Sequence, residues 1–221
     1  MKKMILMMLI FPVFIAKGQS TFEKTFGTSN DDYGISVAAT SDGGFILSVI
    51  QDNQWGLMKL DNEGDTVWTR IYPDLILSAS GYAAGSVIET SDANYVMTGA
   101  LDDMNSFVFK VSAEGDSIWQ YLSGYGMYPV VFREIAEDAE ADLFVVGSQE
   151  IITTVCCSPL IRKLDSSGEP YPDWNPFVSC PYPVGCRLQT IFIDSQGNIL
   201  VSGDTPNPSF PAARLVKINP Q

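Results

Sequence analysis

The sequence of 221 residues contains no histidine. That absence removes Ser-His-Asp and Cys-His catalysis, and with them zinc or copper sites built on imidazole. Basic residues are also scarce, 13 Lys and Arg against 26 Asp and Glu. A surplus of negative charge repels a phosphate backbone, so nucleic acid is excluded as a partner. Cysteine is limited to four residues, Cys156, Cys157, Cys180 and Cys186, all in the last third of the chain. Apart from the first residues, no apolar run approaches the ~20 residues needed to span a bilayer as a helix. Helical periodicity is sparse too, which argues against an α or α/β fold.

The first residues read as a targeting segment. Lys2 and Lys3 precede an apolar run from Met4 to Ala16, and Ala16 and Gly18 are small residues placed for a cut before Gln19. Residues 1–18 are therefore assigned to a signal peptide and 19–221 to one repeat domain. Lys2, Lys3 and Lys17 lie in the leader and no acidic residue does, so ten basic residues face 26 acidic ones from Gln19 onward, a net charge of −16. The expected address is periplasmic, cell-surface or secreted, with no membrane span in the mature chain.

What is present is a repeated pattern. Ser41-Asp42-Gly43-Gly44 leads into the apolar run Phe45–Ile50. Trp55–Leu60 follows, then the turn Asp61-Asn62-Glu63-Gly64, then Asp65–Arg70. Asp-Gly-Gly and Asp-x-x-Gly between strand-like runs are hairpin signals, since glycine accepts positive φ and aspartate bonds the backbone ahead of it. The same order recurs from Gly85, from Val130 and from Leu188. Lys59, Lys110, Lys163 and Lys217 mark the register, 51, 53 and 54 residues apart. Four strands repeated at about 50 residues is the period of a propeller blade. The expected fold is all-β, a β-propeller of four four-stranded antiparallel blades, with a four-blade fragment of a larger propeller as the alternative. Thr21–Phe26 reads as a strand that completes the last blade by pairing near Ala213–Ile218, closing the ring. Trp68, Trp119 and Trp174 are expected to pack between blades.

At these residues the chain resembles a family of secreted bacterial propeller-like repeat proteins. Their units read G-x-S-V-x-x-T-x-D-G-G-aromatic-I, then K-x-D-x-x-G-D-x-x-W. Gly34, Ser36, Val37, Thr40, Asp42, Gly43, Gly44, Phe45 and Ile46 match the first half; Lys59, Asp61, Gly64, Asp65 and Trp68 match the second. Val49 departs from the glycine found at Gly99, Gly147 and Gly203. Members often carry a type IX secretion sorting domain. The resemblance implies the fold and an exported protein, with the secretion machinery as one partner, and it implies no particular activity.

Function is expected on long loops held by a rigid scaffold. The loops 71–83, 122–129, 150–159, 177–187 and 205–212 share one face of the expected propeller, and the tight turns share the other. Candidate binding residues on the long-loop face are Asp31, Asp32, Tyr33, Tyr82, Tyr125, Tyr128 and Tyr182. The partner to expect is a protein or a glycan. No catalytic residue and no cofactor is assigned, and the acidic turn Asp138–Asp142 reads as solvated rather than as a metal site. The expected function is a non-enzymatic binding or surface-interaction module. The alternative is a carbohydrate-active enzyme or glycan binder that uses loop carboxylates. Export favours disulfides. Cys156 and Cys157 are adjacent, so inter-loop pairing takes the form 156–180 with 157–186, or 156–186 with 157–180.

Overall fold

A computed structural model describes residues 21–77, 84–101, 105–123, 129–151, 156–174, 176, 178, 185–205 and 212–219, the side chains of 150, 151, 156 and 157 apart. Among them are fourteen strands and no helix. Sheet one holds β1 (Asp32–Ala39), β2 (Phe45–Gln51), β3 (Gln54–Leu60) and β4 (Thr66–Ile76). Sheet two holds β5 (Gly85–Glu89), β6 (Tyr95–Ala100), β7 (Ser106–Val111) and β8 (Ser117–Ser123). Sheet three holds β9 (Val130–Glu137), β10 (Leu143–Ile151) and β11 (Cys156–Leu164). Sheet four holds β12 (Arg187–Ile193), β13 (Ile199–Thr205) and β14 (Ala212–Ile218). Every strand pairs antiparallel with the next one in its sheet.

β6 and β7 are buried along their whole length and mostly apolar, because both faces of sheet two are covered. Along β6, Met97 faces sheet one and Val96 faces sheet three, as the period of two requires. The first inter-sheet core joins Ile46, Trp55 and Leu57 to Met97, Phe107 and Phe109. The second joins Val96 and Val108 to Phe132, Val145 and Leu160. The third joins Phe144, Val146 and Ile161 to Leu188, Ile199 and Val201. Trp55 is fully buried, meets Phe107 edge to face at 5.3 Å, and donates its Nε1–H to the Ala100 carbonyl at 2.9 Å. Each such large side chain stabilises by ~1.5–3 kcal/mol through burial.

The turns carry the repeat. Thr40 N–H donates to Gly44 O at 2.9 Å and Gly43 N–H to Thr40 O at 2.9 Å. Gly43 has φ 87°, and Ala93, Ala141 and Gly197 hold the same left-handed position in the later units. In the second kind of turn, Asp61 Oδ1 accepts the N–H of Glu63 and of Asp65 at 3.0 and 2.8 Å.

Two expected strands are not formed. After Gly168 comes Glu169-Pro170-Tyr171-Pro172, and Pro170 makes only an isolated bridge to Leu164. Two prolines in three residues remove the donors that a fourth strand of sheet three would need. Residues 21–26 form no strand either, and β14 pairs only with β13 among the described residues, so the expected pairing of Thr21–Phe26 with Ala213–Ile218 is not made. Residues 21–26 nevertheless take a fourth strand's place against sheet one. Phe22 covers Gly64 and meets Phe45 at 6.0 Å, and Lys24 pairs with Asp65. Trp68 covers Gly115 and Trp119 covers Gly168 in the same manner, as inter-sheet packing requires.

Candidate binding cleft

Neighbouring sheets are buckled together at the turn end. Ser41 donates its N–H and hydroxyl to Glu89 of sheet two at 2.6 and 3.0 Å. Ser91 does the same to Glu137 of sheet three at 2.6 and 3.2 Å. At the junction of sheets three and four the matching positions are Ala139, which lacks the hydroxyl, and Ile193, which lacks the carboxylate that would accept. A cleft of about 570 Å³ opens there. Asp138, Glu140 and Lys163 of sheet three line it, with Ser195 and Gln196 from the β12–β13 turn, Asn219 beyond β14, and the rings of Trp174 and Phe144.

The lysine row shows how the third unit changed. Lys59 is buried and reaches Asp42 at 2.8 Å, and Lys110 reaches Asp92 at 2.8 Å. Lys59 and the hydroxyl of Thr40 hold the Asp42 carboxyl well below its usual range. Burial pushes Asp92 up, but hydrogen bonds from Lys110, Thr90 and Asn94 outweigh it and the net shift is down. In sheet three Glu140 stands at the Asp42 position and Asp142 at that of Gly44. A Cβ on Gly44 would lie 2.7 Å from Lys59 Nζ, so Asp142 occupies the space next to its lysine. Lys163 accordingly pairs with Asp142 at 2.7 Å, and Glu140 lines the cleft instead. Burial would lower the Lys163 pKa, but Asp142 more than offsets this and raises it. The Tyr171 hydroxyl donates to Asp142 at 3.0 Å, and Lys163 lies 4.7 Å over the Tyr171 ring and 5.2 Å over Phe144. Trp174 meets Phe144 edge to face at 5.3 Å.

The cleft combines two aromatic rings with an ammonium, carboxylates, amides and a hydroxyl. Asp138 Oδ1 is engaged by the N–H of Glu140 and of Asp142, at 3.0 and 2.9 Å, so it caps its own turn. Among the described residues no three His, Cys, Asp or Glu side chains converge as metal ligands would. Glu134 lies at the same sheet junction, accepts the Ile191 N–H at 2.6 Å, and has a pKa raised by burial.

The residues predicted from loop geography fall elsewhere. Asp31, Asp32 and Tyr33 lie where β1 begins, at the end opposite the cleft. Asp32 accepts from the Thr28 hydroxyl at 3.2 Å, and Asn30 bonds Asp52 of the β2–β3 turn. Tyr33 is 49% exposed and borders a cavity of about 100 Å³ with Phe26, Leu47 and Met58. Tyr82, Tyr125, Tyr128 and Tyr182 lie outside the described residues. Tyr72, expected in a loop, is buried in β4, and its hydroxyl donates to Gly115 O at 3.0 Å. Cys156 and Cys157, also expected in a loop, open β11 opposite Ile151 and Glu150. Cys186 is buried just before β12 and is disulfide-bonded. Cys180 lies outside the described residues.

Sequence reasoning missed the cleft because it favoured long loops. The signals lay in the third and fourth units: Ala139 and Ile193 break the Ser–Glu row, and Trp174 stands nine residues after Asp165 where Trp68 stands seven after Asp61.

No family model and no curated protein matches the chain. Among solved structures it is similar to one described as the eukaryotic initiation factor, at 12% identity and a TM-score of 0.44. That match covers 68% of this chain and 34% of the other, so the chain spans about a third of that protein's length. It is also similar to the endo-arabinase from Bacteroides thetaiotaomicron VPI-5482, at 13% identity and a TM-score of 0.45, over 84% of this chain and 74% of the enzyme. At such identities and scores neither likeness carries functional weight.

Proposed function

We propose that the chain is an exported, non-enzymatic β-propeller module, each sheet a blade, that binds a glycan in the cleft between the third and fourth blades. The observation that carries this reading is the cleft itself. A sugar ring has one apolar face and a rim of hydroxyls. Trp174 supplies a flat ring for the first, and Glu140, Ser195, Gln196 and Asn219 supply donors and acceptors for the second. Pockets of this size suit a small ligand bound by a few placed polar groups. Among the described residues that line the cleft, no hydroxyl or thiol is bonded to a base, and the Tyr171–Asp142 pair lies outside the lining, which favours binding over turnover.

Calorimetric titration with a panel of neutral and acidic oligosaccharides tests it. Binding by the native chain, lost in Trp174→Ala and weakened in Asn219→Ala, is the expected result. A panel without a single binder sinks the glycan reading. Hydrolysis of a bound sugar that disappears in Glu140→Gln would make the protein an enzyme instead.

A further inference from the structure

The far face of sheet four is built like a blade interface and is uncovered. Its Phe192 is 63% exposed and its Leu215 72% exposed. By register, Leu215 occupies the position of Leu57 in sheet one, since each lies opposite a serine, Ser202 and Ser48. Leu57 and its counterpart Val108 in sheet two are fully buried against the next sheet. An apolar row that is core in two units is solvent-exposed in the fourth.

Three features of sheet one fit that face. Its own outer face is apolar, with Val37 62% exposed beside Val49, Met58 and Leu60, which lie under Phe26. Residues 21–26 lie on it in a fourth strand's place with no strand beside them, while β14 has a strand on one edge only among the described residues. The one copy thus offers an extended segment with no sheet to join and a sheet with no fourth strand. A polar position matches as well. Ser86 Oγ accepts the Ile135 N–H of the next sheet at 3.0 Å, and Glu134 accepts that of Ile191 at 2.6 Å. Thr190 holds this position in sheet four, and the matching N–H in sheet one belongs to Val37. Thr190 instead shares a 2.8 Å hydrogen bond with Ser202 of its own sheet.

We infer that the partner covering sheet four is sheet one of a second copy of this chain. Within one copy both faces stand exposed, so the two do not cover each other. A contact between unlike faces is heterologous, and such contacts close into a ring when the rotation allows. Two copies use each face once, which gives a two-fold ring of eight sheets in which both of these faces are covered. At each junction residues 21–26 of one copy pair with β14 of the other, and Thr190 accepts from Val37.

Light scattering on the size-fractionated, purified chain tests this. A dimer is expected, and Leu215→Glu should weaken it at least ~30-fold, the effect of losing one interface hot spot. Because Leu215 is exposed in the single chain, circular dichroism of the variant should stay unchanged. The double variant Val37→Cys with Thr190→Cys, oxidised and run without reductant, should give a cross-linked dimer whose linked peptides carry the two new cysteines. A monomer, a cross-link within one chain, an open-ended ladder of oligomers, or a dimer indifferent to Leu215→Glu each overturns the proposal.

Discussion

Gly147→Ala should destabilise the domain severely, while Gly34→Ala should leave it nearly unchanged. The two glycines sit in the same row of the repeat, one on a second strand and one on a first. Gly147 lies in β10 where the pairing with β9 shifts register, so the bulged strand crowds it. A Cβ at Gly147 would stand 1.9 Å from the Val131 carbonyl oxygen and 3.1 Å from the Phe132 Cα. Ordinary contact starts near 3.4 Å, so backbone must move by about 1.5 Å in a layer buried on both sides. Overpacking of this kind destabilises by ~1–3 kcal/mol, and one or two ladder hydrogen bonds lost with it add ~1 kcal/mol each, about 2–5 kcal/mol in all. For a domain of this size that is about 4–20 °C in Tm. At Gly34 an added Cβ meets nothing within 4 Å. Its substitution should stay within ~0.5 kcal/mol. Chemical denaturation of both variants, followed by tryptophan fluorescence, measures the difference. Equal midpoints would refute the argument that the bulge is what demands glycine at this row.

Ala93→Gly and Ala141→Gly should each raise stability by ~0.5–1 kcal/mol, because both alanines hold positive φ, 60° and 66°, at a position where an L side chain costs ~1–2 kcal/mol. A lower midpoint for either would show that the turn is relaxed in another way. Asp42 and Asp92 have pKa values lowered by folding, so their contribution is present above the ordinary value of 3.8 and is lost as pH falls below it. The double variant Asp42→Asn with Asp92→Asn should therefore be less stable than the native chain at neutral pH, with the gap closing in acid. The gap should be small, since both carboxylates remain at least half exposed. An undiminished gap in acid would rule out the ion pairs as its source. Non-reducing peptide mapping should link Cys186 to Cys156 or Cys157. A map that links Cys186 to Cys180 instead, or leaves it unlinked, would refute both expected pairing schemes.

The period was legible because the turns are chemically demanding. Aspartate followed by glycine specifies a tight turn in few other contexts, and the lysine row fixed the register to within a residue or two. All-β architecture and the first two sheets follow from that alone. Val49 stood out in the sequence as a break in the glycine row, and the structure supplies the reason: its partner across the ladder is Gly34, so the space is kept by the other strand. The strand at 21–26 was misread for a different reason. Its alternation is real, and it puts Phe22 and Phe26 against sheet one, but a strand also needs a backbone partner, which alternation in one segment cannot reveal.

The cleft illustrates a further limit. Each of its causes is visible in the sequence as a small departure, Ala139 for serine, Ile193 for glutamate, Glu140 for aspartate, two extra residues before Trp174. None of these departures is informative alone. They matter together because residues 54 apart, Ala139 and Ile193, lie at one junction, where the Ser–Glu buckle of the other two junctions is missing. In a repeat protein the units report on one another: a contact made twice predicts the same contact a third time. Where the third unit lacks the residues for it, either stability has been given up at that junction or the opening has a use. Ser91→Ala with Glu137→Ile would copy the third junction onto the second. If the second junction then opens and the chain loses only ~1–2 kcal/mol, the buckle is a modest clamp whose omission is cheap, and the cleft follows from sequence drift in two turns. If instead the second junction stays shut, the cleft depends on Trp174 and the missing fourth strand of sheet three, and the proline pair at Pro170 and Pro172 becomes its cause.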